Sequence, residues 1–320
     1  MIDKEKYEAT LTNITYFSSH DGPGMRITLF FKGCLLKCLW CHNPETISRY
    51  MELTWDYRSC IKCHMCSTQC RYNAILIDST KYNVDKEKCV KCFSCVEVCP
   101  ALALKKVGRI YSLEELKGLI DKDLNLFNEL DGGVTFSGGE PTLQSHFIVE
   151  LAKILKKEGV HLALDTSGYT SWENLKRLLP YMDLILYDIK EISSEKHMRY
   201  TGVGNELILD NILRVNHYIQ HFRLKSRVWI RTPLIPDMTD SVENIRGIGA
   251  FLKNISSAID KWELCAFNNL CKEKYRKLGV DWVMDRMELI GVDKLNRLYN
   301  VAKEAAPFLK EITISGLGVR

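Results

Sequence analysis

The sequence predicts an α/β fold: a sheet or barrel of parallel strands that is interrupted by a cysteine-rich insertion. Short runs rich in β-branched and aromatic residues alternate with longer helical patterns, as in chains built from βα units. Distinctive polar residues follow the ends of these runs, where parallel α/β barrels place their sites. Eight of the thirteen cysteines are concentrated between residues 51 and 108, after the first barrel strand.

The elements follow in a regular order. Predicted strands lie near Arg26–Phe31, Val134–Ser137, Val160–Asp165, Leu184–Asp188, Arg227–Thr232 and Trp262–Phe267. Predicted helices lie near Gln144–Glu158, Trp172–Leu179, Asn205–Gln220 and Val242–Leu252. A capping box at Ser112 to Glu115 begins a helix that continues to about Asn128. A helix near Val292–Ala306 and a strand near Glu311–Ser315 come last. Residues 12–24 read as a turn-rich lead-in. This order predicts a parallel sheet or barrel of residues 1–50 and 109–320, with an insertion at 51–108.

Composition limits the class of protein. The chain has 320 residues, 46% hydrophobic and 26% charged, as in ordinary globular proteins. Its charged N-terminus lacks a signal peptide's apolar core, and its apolar stretches are too short to span a bilayer, so we expect a cytoplasmic protein without a membrane partner. In that reducing compartment thirteen cysteines favour metal over disulfides. A net charge of +4 without a basic run or basic-aromatic stripe predicts no nucleic-acid partner.

Three cysteines follow the first predicted strand directly: Cys34, Cys38 and Cys41. Cysteine thiolates hold the irons of iron–sulfur clusters. Three ligands leave one iron of a four-iron cube open, and an open position distinguishes a reactive metal centre from a structural one. The alternative is a cysteine-bearing turn, or zinc with a distant fourth ligand. Zinc sites usually place their ligand pairs well apart, and His42, directly after Cys41, is badly placed to complete a tetrahedron.

This stretch resembles the CxxxCxxC signature of the radical S-adenosylmethionine (SAM) superfamily, which has an aromatic residue, here Trp40, before the third cysteine. The resemblance implies a partial (β/α)6, TIM-like barrel and a [4Fe-4S] cluster whose free iron chelates the amino and carboxylate groups of SAM. The segment His20-Asp21-Gly22-Pro23-Gly24, followed by Arg26, narrows it: together with the cysteines it is similar to the activating enzymes of glycyl radical enzymes, over essentially the whole chain.

Two cysteine runs in the insertion are similar to the two-cluster bacterial ferredoxin repeat. They read Cys60-x2-Cys63-x2-Cys66-x3-Cys70 and Cys89-x2-Cys92-x2-Cys95-x3-Cys99-Pro100. In that repeat the fourth cysteine of each run ligates the other cluster. The resemblance therefore implies a ferredoxin-like α+β domain with two [4Fe-4S] clusters, one on Cys60, Cys63, Cys66 and Cys99 and one on Cys89, Cys92, Cys95 and Cys70. Zinc would need wider spacing between cysteine pairs.

Polar residues follow the other predicted strands. They are Ser137 to Pro141, Asp165 to Gly168, Asp188 to Lys190, Arg231 with Thr232, and Asn268 with Asn269. Each alone reads as a turn or a solvated strand end. Their coincidence with the cysteine loop at one rim instead predicts a shared site, because parallel barrels place their active sites at that rim.

The resemblance assigns roles at this rim. Gly138, Gly139 and Glu140 match the family's GGE motif, which holds the amino group of SAM, with Glu140 supporting the loop. Asp188 and Lys190 match an Asp-x-Lys that contacts the methionine portion, and Lys190 offers a cation to a carboxylate. Asp165, Thr166 and Ser167 offer oxygen ligands that suit a hard cation, so we expect a monovalent cation near Asp165. Trp40 and His42 are expected on the adenine side, with Arg231 and Asn268 also binding the cofactor.

The implied function is the generation of a glycyl radical. A low-potential donor such as flavodoxin or ferredoxin reduces the protein, SAM is cleaved to methionine and a 5′-deoxyadenosyl radical, and the radical takes hydrogen from a backbone glycine of a partner enzyme. We expect a monomer. Asn268 stands where the pyruvate formate-lyase activator has histidine, which argues, with the insertion, against that partner. Two alternatives are a radical SAM enzyme acting on a small molecule or another peptide, and a ferredoxin-type electron carrier.

Overall fold

The fold is described by a computed structural model that covers residues 7–77, 82–85 and 87–316. Nine strands form its main sheet. From one edge to the other they are β13 (Glu311–Ser315), β12 (Ile259–Ala266), β11 (Arg227–Leu234), β10 (Leu184–Asp188), β9 (His161–Thr166), β8 (Gly133–Gly138), β2 (Arg26–Phe31), β1 (Glu8–Ser18) and β7 (Arg109–Ser112). The strands from β13 to β2 are parallel, which confirms the predicted parallel sheet. Within the described ranges β13 and β7 do not pair with each other, so the sheet stays open.

The sheet extends further than the sequence predicted. β1 pairs antiparallel with β2, through partners such as Leu11 with Phe31 and Ile14 with Leu29, and β7 pairs antiparallel with β1. The prediction of a turn-rich lead-in from residue 12 was therefore wrong up to Ser18. Register shifts between Leu11 and Asn13 and again between Thr15 and Ser18 interrupt the alternation of buried and exposed residues, and this obscured the strand.

The helices are α1 (Met65–Gln69), α2 (Ser94–Glu97), α3 (Leu113–Ile120), α4 (Leu124–Glu129), α5 (Ser145–Lys157), α6 (Trp172–Leu178), α7 (Ser194–Thr201), α8 (Glu206–His221), α9 (Val242–Leu252), α10 (Lys272–Leu278) and α11 (Val292–Ala305). The capping box is confirmed: the Ser112 hydroxyl accepts from the Glu115 amide, and the Glu115 carboxylate accepts from the Ser112 amide. The single helix predicted to Asn128 was wrong, because a 3-10 turn at Asp121–Asp123 separates α3 from α4. Aspartate favours turns and helix caps over helix interiors.

The core lies between the sheet and the helices that connect its strands. In α5 the buried residues Phe147, Leu151, Ala152 and Leu155 recur at helical spacing and pack into this core. The opposite face of the parallel strands carries most of the polar residues discussed below. No helix in the described part of the chain combines the length and apolar composition needed to cross a bilayer.

The stretch between β2 and β7 folds on itself. β3 (Glu52–Trp55) pairs antiparallel with β6 (Leu104–Val107), which brings the two ends of the stretch together. β4 (Ile75–Ile77) pairs antiparallel with β5 (Tyr82–Val84), and α1 packs against α2. A small apolar cluster built on Cys66, Ile75 and Leu104 lies between these elements.

Candidate functional site

A cavity of about 260 Å³ lies at the carboxyl ends of the parallel strands. We call it the rim cavity. Thirteen of the residues predicted for the SAM site line it: Cys34, Cys38, Trp40, Cys41, His42, Gly138, Gly139, Asp165, Thr166, Ser167, Asp188, Lys190 and Arg231. Glu140 and Asn268 are the two predicted residues that do not. Parallel strands bring residues distant in sequence to one rim, so the fold itself assembles this set.

The cysteine loop after β2 is held from two sides. On one side, the amides of Lys37 and Leu39 donate to the carbonyls of Thr201 and Tyr200, at the end of α7, at 2.7 and 3.0 Å. On the other, the Tyr275 hydroxyl of α10 donates to the Cys41 carbonyl at 2.9 Å. The backbone around the cysteines is thereby fixed by elements that carry no recognisable motif, and sequence reasoning missed them.

Trp282 also holds the cysteine loop, on the same side as Tyr275. Its indole donates to the Leu39 carbonyl at 2.9 Å, and its ring stacks on Tyr275 with centroids 5.0 Å apart. Trp40 and Cys271 are buried in the same apolar cluster. Cys271 is thus a packed free thiol, as buried cysteines usually are.

The three loop cysteines lie in an environment that disfavours free thiolates. Burial raises the pKa of each of Cys34, Cys38 and Cys41 to about 12. Without metal these thiols hold their protons, and iron must displace those protons on binding. Cys265, on β12, also lines the rim cavity, where burial raises the pKa of its thiol and Arg231 opposes that rise.

Lys190 supplies a buried positive charge to the cavity. Its ammonium donates to the Asp188 carboxylate at 2.5 Å. Burial alone lowers the pKa of a lysine, but Asp188 and then Cys38 outweigh burial here, so the pKa of Lys190 is raised and its charge is retained. A fixed, charged ammonium is suited to binding a carboxylate.

A row of charged residues crosses the strands beside Lys190. Ser137 donates to one oxygen of Asp165 at 2.7 Å, and Arg231 lies 3.4 Å from the other. Arg231 also lies 3.4 Å from Glu263, a partner that sequence reasoning missed. Burial raises the pKa of Asp165 to about 6, although Arg231 opposes that rise.

The same row shows what surrounds the oxygen atoms predicted to bind a monovalent cation near Asp165. The Arg231 guanidinium lies next to that carboxylate and provides a positive charge there. The hydroxyls of Thr166 and Ser167 donate to Glu140 at 2.7 and 2.6 Å. A hydroxyl that donates its proton keeps oxygen lone pairs that can bind a cation, so the monovalent cation stays a prediction.

Glu140 lies beneath the cavity, fully buried. Besides these two hydroxyls, its carboxylate accepts from the Ser167 amide at 2.9 Å and the Thr142 hydroxyl at 2.7 Å. It therefore ties the loop after β8 to the loop after β9 and presents no free oxygen to a ligand. Its predicted placement among the cofactor contacts was wrong, whereas its expected support of the loop agrees with these bonds.

The neighbouring glycines are required by the backbone. Gly138 has φ +115°, and a Cβ there would lie 2.3 Å from the Phe31 amide nitrogen. A Cβ on Gly139 would lie 2.2 Å from the Gly33 carbonyl oxygen. The end of β2 thus approaches this loop too closely for side chains, and the loop lines the cavity with bare backbone.

Asn268 is not among the lining residues of the rim cavity, but it contacts His42, which is. Its carbonyl oxygen lies 3.0 Å from His42 Nε2, and its own side chain accepts from the Leu270 amide. Burial lowers the pKa of His42, which favours the neutral ring. The predicted contact between the Asn268 side chain and the cofactor is absent from the cavity wall in the described structure.

Comparison with known proteins identifies the family. A model of the radical SAM superfamily matches residues 28–246. The (2S)-3-sulfopropanediol dehydratase activating enzyme of Klebsiella oxytoca is 36% identical over 283 residues, covering 87% of both chains. The trans-4-hydroxy-L-proline dehydratase activating enzyme of Clostridioides difficile is 37% identical over 289 residues, covering 89% of this chain and 93% of the relative. The chain belongs to the glycyl radical enzyme activating enzymes of the radical SAM superfamily.

The fold agrees with this assignment. A radical SAM methyltransferase from Sphaerobacter thermophilus superposes with a TM-score of 0.53 at 12% identity, covering 96% of this chain and 74% of that one. Membership implies a [4Fe-4S] cluster and SAM as cofactors. Three thiols on one loop, an adjacent buried ammonium and a wall of bare backbone fit both groups, because together they offer soft ligands to iron, a cation to a carboxylate and room for a ligand.

The remaining cysteines of this activating enzyme lie in two further cavities. One, the outer cysteine cavity, is lined by residues of the insertion alone, including Cys60, Cys63, Cys66 and Cys99. The other, the inner cysteine cavity, has a volume of about 480 Å³ and is lined by Cys70, Cys89, Cys92 and Cys95. No group of three or more His, Cys, Asp or Glu residues in the described ranges is arranged to hold a single metal ion.

Proposed function

We propose that this chain cleaves SAM reductively in the rim cavity and abstracts hydrogen from a backbone glycine of a partner glycyl radical enzyme. The observation that carries the proposal is the convergence, in one cavity, of three loop cysteines, Lys190 and the glycine loop after β8. When bound there, a [4Fe-4S] cluster and SAM supply a one-electron cleavage that yields methionine and a hydrogen-abstracting 5′-deoxyadenosyl radical.

The chain's own residues orient the cofactor. Lys190, held in place by Asp188, presents its ammonium to the carboxylate of SAM, and the backbone carbonyls of the glycine loop accept from its amino group. Trp40 and His42 provide flat side chains for the adenine, and neutral His42 adds no charge beside the sulfonium. Because the cavity is open toward solvent, a segment of a partner can enter it and exclude water.

In this proposal the insertion of residues 51–108 forms a ferredoxin-like domain with two further [4Fe-4S] clusters. The support is that each predicted set of four cysteines, including the exchanged Cys70 and Cys99, lines one cavity. Substituting Cys99→Ser should release iron from the outer set and leave the inner set loaded, with Cys70→Ser as the reciprocal variant. Mössbauer and iron analysis would contradict the pairing if Cys99→Ser emptied the set of Cys89, Cys92 and Cys95.

The activity is tested with anaerobically reconstituted protein, a low-potential reductant and SAM. Formation of 5′-deoxyadenosine is expected, and its absence would overturn the proposal in favour of an electron carrier. The hydrogen source is tested with partner enzymes of the relatives' kinds carrying α-deuterated glycine. Deuterium in 5′-deoxyadenosine, together with a glycyl EPR signal on the partner, is expected. A product that stays undeuterated with every partner, but takes up deuterium from a small molecule or an unrelated peptide, would refute the glycyl assignment.

The relatives share a reaction rather than a substrate. Their names refer to sulfopropanediol dehydratase and hydroxyproline dehydratase at 36% and 37% identity to this chain. We therefore propose a glycyl radical enzyme as the partner without naming its substrate. We also propose that the activating enzyme is a monomer in the cytoplasm and receives electrons from flavodoxin or ferredoxin. Size-exclusion chromatography with light scattering under anaerobic conditions tests the monomer.

A further inference from the structure

The inner cysteine cavity lies against the loop that carries the SAM-site cysteines. Pro44, Ile47 and Ser48, all just beyond Cys41, line the inner cysteine cavity. Ile47 lines the rim cavity as well. The two cavities are therefore separated at this point by the thickness of one residue.

Helix α10 also lies between the two cavities, and with Ile47 it forms what we call the wall. Tyr275 lines the inner cysteine cavity and donates its hydroxyl to the Cys41 carbonyl at 2.9 Å. Lys274 donates to the side chains of Asn43 and Glu45, each at 2.6 Å, and so holds the segment that follows Cys41 in the chain. One short helix thus contacts both the cavity of one cysteine set and the backbone of the other.

The same helix is attached to the insertion. Lys277 pairs with Asp56 at 2.8 Å, and Glu273 pairs with Arg58 at 3.2 Å. The outer cysteine cavity has no such contact with the barrel, since its lining residues all lie between Trp55 and Leu104. The outer set adjoins the inner set instead: Cys66 of α1 and Cys95 of α2 lie in one apolar cluster.

We propose that electrons reach the SAM site in a fixed order, from the outer cysteine set to the inner set and then across the wall of Ile47 and Tyr275 to the Cys34–Cys41 loop. This rests on the proposed function. Each SAM cleavage consumes one electron: the sulfur keeps the added electron and one electron of the C–S bond as a lone pair, and the other bond electron stays on the 5′ carbon. An external low-potential protein donor supplies the electrons.

The test counts electrons. All clusters are reduced photochemically, the reductant is removed, SAM is added to dilute protein, and 5′-deoxyadenosine is counted while the reduced clusters are followed by EPR. The native protein should form about three 5′-deoxyadenosines per chain, one for each reduced cluster, with loss of every reduced-cluster signal. About one per chain with persistent signals would overturn the route. No product at all would instead refute the proposed function, so the two failures are distinguishable.

Two matched variants test the order. Cys89→Ser/Cys92→Ser, which removes the inner cluster, should form about one product per chain and leave the outer signal unchanged. Cys60→Ser/Cys63→Ser, which removes the outer cluster, should form about two. The reverse result, or about two from each variant, would overturn the order. Iron content and circular dichroism confirm that each variant is folded and has lost only one cluster.

Tyr275 is tested as a positioning residue. Tyr275→Phe keeps the ring and removes the hydrogen bond to Cys41, and it should slow the decay of the inner-cluster EPR signal after SAM addition severalfold without lowering iron content. Tyr299→Phe, on α11, is the control and should match the native rate. Equal rates in both variants would show that the wall does not depend on this bond.

Discussion

Replacing Lys190 separates a cofactor-binding role from a structural one. In Lys190→Met the aliphatic stem is kept and the buried ammonium is lost. A hydrogen bond between charged groups contributes about 1.5–3 kcal/mol. Loss of the contact with the SAM carboxylate should therefore raise the dissociation constant for SAM roughly 10- to 150-fold. Iron content should stay near the native value, because Lys190 is not a cluster ligand.

The unpaired partner adds to the loss. Lys190→Met leaves the Asp188 carboxylate without its donor at 2.5 Å, where it repels the carboxylate of SAM. In Lys190→Met/Asp188→Asn this repulsion is removed, so the double variant should bind SAM more tightly than the single variant and more weakly than the native protein. The difference in SAM affinity between the two variants measures the effect of the unpaired Asp188 charge on SAM binding.

Another lysine–aspartate pair offers a control. Lys156 of α5 pairs at 2.8 Å with Asp183, which directly precedes β10 at the end of that strand opposite the rim cavity. Lys156→Met should leave SAM affinity unchanged. Binding is measured from the change that SAM produces in the EPR spectrum of the reduced cluster. An unchanged affinity in Lys190→Met, or a parallel loss of iron and SAM binding, would refute the reasoning.

Four further predictions concern single side chains. Glu140→Gln should lower the free energy of unfolding by about 1–3 kcal/mol, because an amide cannot accept from all the donors around that carboxylate. Arg26→Leu should lower the free energy of unfolding, measured with denaturant, by about 3 kcal/mol or more, because the buried guanidinium donates hydrogen bonds to Pro23, Thr135 and Val134. Arg214→Leu, at an exposed position, is the control and should lower it by under about 0.5 kcal/mol. In the folded, cluster-free protein burial raises the pKa of Asp165 to about 6, from 3.8 for the free side chain. The free energy of unfolding should therefore fall as pH rises between these two values. Asp165→Asn should flatten that fall when unfolding is measured as a function of pH. Cys265→Ala should leave iron content unchanged, and loss of four irons per chain would instead make Cys265 a cluster ligand.

Glu140 was placed among the cofactor contacts, but its carboxylate bonds to the protein instead. Thr166 and Ser167 carry hydroxyls that suit a cation, and the sequence does not show that both also donate to a carboxylate of the protein. The structure places Glu140 beneath them, where it accepts both hydroxyls. The segment His20–Gly24 with Arg26 carried much of the family resemblance. Arg26, however, begins β2 at the end of the strand opposite the cysteine loop, and its guanidinium donates hydrogen bonds to Thr135 and Val134 of the neighbouring strand β8.

Local chemistry is readable from sequence because it depends on residue type and spacing. The cysteine runs, the capping box, the strand runs and the polar residues at strand ends follow from which atoms can bind iron, cap a helix or pack in a sheet. Partnerships between distant segments depend instead on how the chain folds back. Only the tertiary structure decided that Arg231 lies beside Asp165, that α10 binds the Cys41 backbone, and that the set of Cys70, Cys89, Cys92 and Cys95 is the one next to the rim cavity. Residues far apart in sequence meet only when packing brings their elements together.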